Sequence, residues 1–160
     1  MGVGKSTVGA RLARALGRVF IDTDAEVERK AGRTIPEIFA SEGEAHFRHL
    51  EAEVILAAGI DGAVVALGGG AVVQPGAIER LLESGEVIYL EADPTVLLAR
   101  IGDPGSRPLL AGLDSAARLE KLVGLLEERL PIYRRARIQV DASGTTDEIV
   151  ERIIDELTAA

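Results

Sequence analysis

Short apolar runs, rich in β-branched residues, alternate along this chain with longer segments in which apolar residues recur at helical spacing. The short runs, each typical of a buried strand, lie at 19–22, 63–67, 86–90 and 137–141. Helical spacing is clearest after Lys5, between residues 43 and 58, and in a last segment that includes Ile149 and Ile153. Strands that alternate with helices predict βαβ units, and therefore an α/β fold built on a parallel sheet.

Residues typical of helix caps and loops predict two helix starts and one long loop. Asp93 followed by Pro94 is typical of an N-cap and a first helical residue. Thr146, followed by two acidic residues, predicts the start of the last helix. The segment 102–114 is irregular and rich in Gly, Pro and Asp, which predicts a flexible lid.

Length, composition and charge narrow the class of protein. The 160 residues suit one domain, predicted to span 1–160, and 47% hydrophobic residues are enough for a full core. A net charge of −8 argues against a nucleic-acid partner, and the lack of cysteine excludes disulfides and thiol catalysis. With two histidines and no apolar run long enough for a bilayer, we expect no histidine-rich metal site, no membrane partner and no secretory signal. These features predict a soluble, cytoplasmic protein.

The first residues of the chain form half of a phosphate-binding motif. They are Gly2, Val3, Gly4, Lys5, Ser6 and Thr7, and they lead directly into a helix. Glycines let backbone N–H groups surround phosphate oxygens, while Lys5 and the helix N-terminus add positive charge. The Ser6 hydroxyl would contact Mg²⁺. Taken alone, these six residues could also be a glycine-rich tail in front of a helix.

The upstream half of this motif is not present in the sequence. The full pattern has a further glycine five residues before Gly4 and a strand before that, and both would precede Met1. We therefore expect that the natural chain starts earlier and that Met1 is a misassigned start. Because a buried central strand contributes many kcal/mol, we also expect this form to fold poorly and an upstream-extended form to be active.

Two further stretches place polar or flexible residues directly after strand runs. Asp22 and Asp24 end the first run, so that one could hold a metal-bound water and the other could take a proton from a hydroxyl. Asp24 alone is more often a helix N-cap. Gly68, Gly69 and Gly70 follow the second run, which favours close approach of the backbone to a ligand over a merely flexible turn.

Three arginines could bind an anionic ligand. Arg48 lies at the edge of an apolar helix face, Arg107 in the irregular segment, and Arg134 at a helix end. Taken singly, each has a structural explanation, either as a snorkelling side chain or as a partner of the helix dipole. Tyr133, beside Arg134, is expected to be a packing aromatic.

Together, six stretches resemble the shikimate kinase family along essentially the whole chain. They are GVGKSTVG at 2–9, FIDTD at 20–24, IFASEGEAHFRHLE at 38–51, ALGGGAV at 66–72, RPLL at 107–110 and RLPIYRRA at 129–136. Any one of these stretches is weak evidence for the family, but all six occur in order and at compatible spacing, which is strong evidence. The resemblance implies a three-layer P-loop NTPase fold with a five-stranded parallel sheet in the order 2-3-1-4-5. Strand 1 of that sheet would be the segment missing here.

The resemblance also implies a reaction and its participants. ATP would phosphorylate the 3-hydroxyl of shikimate, a step towards chorismate and the aromatic amino acids. Mg²⁺ would be the cofactor, ATP and shikimate the partners, and the protein a monomer.

By position, the resemblance assigns a role to each candidate residue. The ATP phosphates would be bound by Lys5 and by the backbone of Gly2, Val3, Gly4, Ser6 and Thr7. Arg100 would stack on adenine beside the 141–144 turn. Ser6 would ligate Mg²⁺ directly and Asp22 through water. Shikimate would be bound by Asp24, Arg48, Gly68, Gly69, Gly70 and Arg134. The catalytic residues would be Lys5, Asp24 as the base, and Arg107 of the lid, which would also bind ATP at the phosphate being transferred.

Two other functions stay open. A related small-molecule kinase, for instance one acting on gluconate, would share the fold, but the glycine triplet with Arg48 and Arg134 argues against it. A truncated, non-catalytic ATP- or shikimate-binding module is supported only by the missing first strand, since Lys5, Asp24 and Arg107 are all present.

Overall fold

The computed structural model describes residues 2–58, 62–101, 110 and 112–159. In these ranges the helices are α1 (Lys5–Leu16), α2 (Thr23–Ala31), α3 (Ile35–Ala58), α4 (Ala77–Ser84), α5 (Pro94–Arg100), α6 (Ser115–Tyr133) and α7 (Thr146–Ala159). The strands are β1 (Phe20–Asp22), β2 (Val64–Ala66), β3 (Ile88–Glu91) and β4 (Ile138–Asp141). Each strand lies within a predicted apolar run or one residue beyond it, so the predicted α/β alternation is confirmed.

The four strands form two parallel pairs. In the first pair, β1 lies beside β2 with Asp22 opposite Ala66, and in the second, β3 lies beside β4 with Glu91 opposite Asp141. In the part of the chain that the structure describes, no ladder joins β2 to β3. The two pairs correspond to those that the predicted order 2-3-1-4-5 places on either side of strand 1. The carboxyl ends of β1 and β2 lie level with each other, which brings the segments that follow them together.

The core has two parts. The larger is built mainly around α1, β4 and α7 and includes Val8, Leu12, Val140, Ile149 and Ile153. The smaller lies between α2 and α3 and is formed by Val27, Ile38, Phe47 and Val54. Gly43, with φ 81° and ψ 176°, interrupts α3 between these contacts. Among the described residues, no helix combines the length and the apolar character needed to cross a lipid bilayer.

The predicted starts of α5 and α7 are confirmed, and the cap of α2 differs from the predicted one. Asp93 caps α5 by accepting a hydrogen bond of 2.8 Å from the N–H of Thr95, as predicted. Helix α7 begins at Thr146 with two acidic residues in its first turn, as predicted, and the preceding Thr145 forms a reciprocal capping box with Glu148. The cap of α2 is Asp22 instead of Asp24, because β1 ends at Asp22 and the helix begins at the next residue.

The predicted lid is described only at its end. Residues 102–109 and 111, and with them Arg107, lie outside the described residues. Leu110 is fully buried. Asp114 caps α6 by accepting a hydrogen bond of 2.8 Å from the N–H of Ala117. At the described end of this segment, Leu110 is therefore packed in the protein interior and Asp114 starts α6.

Candidate active site

The turn that precedes α1 has the geometry of a phosphate-binding loop. Gly2 and Gly4 have φ angles of 72° and 91°, which residues with a Cβ rarely adopt. A Cβ on Gly2 would also overlap the carbonyl oxygen of Leu97. Beside the N-terminus of α1 lies a cavity of about 330 Å³, lined in part by Lys5 and Ser6. The positive end of the helix and the lysine therefore border the same space, as phosphate binding requires.

Distant parts of the chain meet at this cavity. Asp24 of α2, Gly69 and Arg100 line it together with the phosphate-binding turn. A second cavity of about 290 Å³ is lined by Arg100, by part of the same turn and by Gly144. Arg100 donates a hydrogen bond of 3.0 Å from Nη1 to the carbonyl of Ala142, which places it beside the 141–144 turn. Two neighbouring cavities thus border the start of α1.

Ser6 and Asp22 form the part of the site that suits a metal ion. The Ser6 hydroxyl donates a hydrogen bond to Oδ2 of Asp22, while Oδ1 accepts from the N–H groups of Asp24 and Ala25. Hydroxyl and carboxylate oxygens are ligands that Mg²⁺ prefers, and it usually keeps several waters and phosphate oxygens as well. The described residues contain no cluster of three or more His, Cys, Asp or Glu side chains arranged for a metal. The pair therefore fits Mg²⁺ held jointly with a nucleotide.

Asp24 lies against the glycine turn, which we define as residues 68–70. A Cβ on Gly68 would lie 2.9 Å from Oδ1 of Asp24 and would overlap Oε1 of Glu51. Thr23, which is fully buried, donates a hydrogen bond of 3.2 Å to the carbonyl of Ala66 and accepts one of 3.1 Å from the N–H of Gly68. It fastens the end of β1 to the start of the turn. Sequence reasoning missed Thr23, whose only signal is its position between two acids.

Arg48 lies against Gly70 and is held by two glutamates. Its Nη1 is 2.7 Å from Oε2 of Glu51, and its Nη2 is 3.1 Å from Oε1 of Glu44. Its guanidinium carbon is 5.0 Å from the centroid of the Phe47 ring. A Cβ on Gly70 would overlap the guanidinium, so the glycine makes room for it. The result is a fixed cation that is only 15% exposed.

Glu51 is the buried acid of the site, with a side chain that is 2% exposed. Burial raises its pKa, the ion pair with Arg48 opposes this, and the charge of Asp24 raises it further. Burial also works to lower the pKa of Arg48, but its bonds to the two glutamates outweigh burial and raise it. Oε1 of Glu51 has no hydrogen-bond partner among the described residues. Sequence reasoning did not single out Glu51, although its position three residues after Arg48 on a helix was a signal.

The remaining candidate residues are less closely joined to the cavity. Arg134 follows the last residue of α6, and its side chain is exposed. Its neighbour Tyr133 donates a hydrogen bond of 2.6 Å to the carbonyl of Gly69. Arg134 lines neither of the two cavities described above. Arg107 lies outside the described residues.

Comparisons with known proteins agree on one family. The sequence model described as shikimate kinase matches residues 1–158. A shikimate kinase of Mycobacterium ulcerans is 47% identical over 155 residues, which are 96% of this chain and 82% of that protein. The solved structure of shikimate kinase from Acinetobacter baumannii in complex with shikimate superposes with a TM-score of 0.93 at 38% identity. It covers 99% of this chain and 89% of that one.

A gluconokinase is also similar, but more distantly. The structure from Sinorhizobium meliloti has a TM-score of 0.59 and 21% identity, and the match covers 99% of this chain and 87% of that one. An identity this low indicates a shared fold and carries no information about the substrate.

Proposed function

We infer that this chain, which belongs to the shikimate kinase family, is an enzyme that transfers the γ-phosphoryl group of ATP to shikimate. The product is 3-phosphoshikimate, an intermediate in aromatic amino acid biosynthesis. One observation supports this function most directly. The phosphate-binding turn, Asp24 and the glycine turn border the same cavity, so a nucleotide and a small hydroxylated acid can lie side by side.

ATP binds through the N-terminal turn and the start of α1. Backbone groups from Gly2 to Thr7 and the Lys5 ammonium surround the phosphates, while Arg100 and the 141–144 turn hold the adenosine end in the second cavity. Phosphoryl transfer has a loose transition state, so positioning and charge contribute most of the rate. Lys5 supplies part of that charge. Arg107 supplies more from the lid segment, a role that rests on the resemblance alone.

Ser6 and Asp22 are proposed to hold Mg²⁺, the serine directly and the aspartate through water. Bound there, the ion neutralises charge on the phosphate oxygens. Asp22 orients the Ser6 hydroxyl and at the same time caps α2, so its carboxylate is held from two sides.

Asp24 is proposed to orient the attacking hydroxyl and to accept its proton. One of its carboxylate oxygens lies close to Gly68, where the cavity meets the glycine turn. As the hydroxyl oxygen bonds to phosphorus and the bond to ADP breaks, the hydroxyl proton passes to Asp24.

The carboxylate of shikimate is proposed to bind Arg48 and Arg134. The guanidinium of Arg48 is already held in place by Glu44 and Glu51, which suits bidentate recognition of a carboxylate. The backbone of Gly68, Gly69 and Gly70 lies against the ring. We propose, from the family resemblance, that the enzyme acts as a monomer.

The direct test is ADP release from ATP and Mg²⁺, measured with shikimate, with gluconate and with neither. We expect turnover that depends on shikimate. Asp24→Asn should lower kcat by about 100-fold or more, because a positioned base contributes at least that factor. Asp147→Asn is the matched control, since Asp147 is exposed and its carboxylate pairs with Arg11, a residue outside the cavity lining.

Each alternative function has its own result in this assay. Turnover with gluconate but not with shikimate would identify a related kinase. Binding of both ATP and shikimate by calorimetry, without ADP release, would identify a non-catalytic binding module. Either result would overturn the proposed function.

A further inference from the structure

Side chains from three separate segments hold the backbone of the glycine turn. Thr23 Oγ1 accepts from the N–H of Gly68 at 3.1 Å, and the side-chain amide of Gln74 donates to the carbonyl of Gly70 at 3.2 Å. The hydroxyl of Tyr133 donates to the carbonyl of Gly69 at 2.6 Å. Three successive glycines have no side chains to restrict their own backbone, so contacts of this kind determine its path.

Tyr133 is the only one of these three side chains that comes from the far end of the chain. It is the last residue of α6, directly before Arg134, and is 64 residues from Gly69 in sequence. Its ring lies 5.2 Å from that of Tyr89 in β3, tilted by 34°. The ring contact holds the phenol in one orientation, and the hydrogen bond is at the short end of the normal range. Tyr133 therefore connects the end of α6 with both β3 and the glycine turn.

We propose that Tyr133 is a positioning residue for shikimate binding, and this proposal rests on the proposed function. Its hydroxyl holds the glycine turn in a fixed position relative to Arg134, so that the backbone against the ring and the carboxylate-binding arginine are arranged together before the substrate arrives. Without the hydroxyl, the Gly69 carbonyl loses its partner and the turn samples more conformations. Ordering the turn then opposes binding.

A pair of tyrosine variants separates this role from ring packing. Tyr133→Phe keeps the ring contact with Tyr89 and removes only the hydroxyl. Tyr89→Phe removes the hydroxyl of the other ring, which makes no hydrogen bond to any described residue, and is therefore the matched control. Both changes conserve shape, so the folded state should survive in each.

The experiment measures steady-state KM for shikimate and for ATP, the Kd of shikimate by calorimetry without ATP, and the melting temperature. Loss of one neutral hydrogen bond predicts that Tyr133→Phe raises KM and Kd for shikimate about threefold to tenfold. We expect the KM for ATP to stay within about twofold, and Tyr89→Phe to resemble the unchanged chain.

Three results would overturn the proposal. The first is an unchanged Kd for shikimate in Tyr133→Phe, while the unchanged chain binds and phosphorylates shikimate. The second is an equal rise in both KM values, which indicates a general structural role. The third is a similar loss in both variants, which indicates ring packing. If the unchanged chain does not bind shikimate at all, the proposed function fails together with this proposal.

Discussion

Replacing Arg48 by Met should expose how strongly the candidate site depends on one buried ion pair. The substitution keeps the length and apolar character of the side chain but removes the cation that lies 2.7 Å from Glu51. The glutamate side chain is only 2% exposed, so its charge would be left without its closest compensation and without access to water.

The size of the effect follows from the two ways in which the protein can respond. Leaving a buried charge without its partner costs about 3–5 kcal/mol. Protonating Glu51 instead, from its ordinary pKa of 4.5, costs roughly 3.4 kcal/mol at about pH 7, since each pH unit is worth about 1.4 kcal/mol. The protein takes the less costly of the two responses, so that response limits the loss of unfolding free energy. Because the pKa of Glu51 is already raised when Arg48 is present, the unchanged chain bears part of this cost. Arg48→Met should therefore lose up to roughly 3 kcal/mol of unfolding free energy at about pH 7, and less than about 1 kcal/mol near pH 5.

The sign of this pH dependence follows from proton binding. In the variant, the pKa of Glu51 is raised further in the folded state, so the folded chain holds a proton that the unfolded chain has released. The variant therefore loses stability as the pH rises above the unfolded pKa, and regains it as the pH falls.

Urea unfolding followed by far-UV circular dichroism at about pH 5 and pH 7 measures both values. The matched control is Arg29→Met, because Arg29 and Glu26 are also separated by three residues on a helix but are exposed. That control should change stability by less than about 1 kcal/mol. Adding Glu51→Gln to Arg48→Met should recover most of the loss at about pH 7. A loss of equal size at the two pH values, or one no larger than that of the control, would refute the reasoning.

Two further predictions concern the end of β1 and the gap between the strand pairs. Thr23→Val should cost about 1–3 kcal/mol in thermal unfolding, because the buried N–H of Gly68 and carbonyl of Ala66 lose a partner; a loss no larger than that of exposed Thr158→Val would contradict this. An apolar strand-forming segment added before Met1 should raise the melting temperature by roughly 10 °C, since it could pair with β2 and β3, which share no ladder in the described residues. Equal melting temperatures would contradict it.

Much of the fold can be predicted from local patterns, because strand and helix periodicities involve residues only a few positions apart. The apolar runs locate all four described strands to within two residues at each end, and Asp93 with Pro94 locates the start of α5. The chemical character of the site is also local in origin, since glycines before a helix and acids after a strand are adjacent in sequence. Even the correction at α2 moves the helix cap by only two residues, from Asp24 to Asp22.

Contacts between residues far apart in sequence could not be predicted in this way. Nothing in the pattern of residues around Tyr133 indicates that its hydroxyl meets the carbonyl of Gly69, and nothing around Glu51 indicates that it lies beside Gly68 and Asp24. These contacts arise because the parallel pairing of β1 with β2 brings α2, the glycine turn and α3 together, and Tyr133 at the end of α6 then contacts the glycine turn. Only the tertiary arrangement makes Glu51 a buried acid, although its sequence position suits a solvated helix face. In the same way, it makes Tyr133 a hydrogen-bond donor that supports the glycine turn, whose residues have no side chains to restrict their backbone.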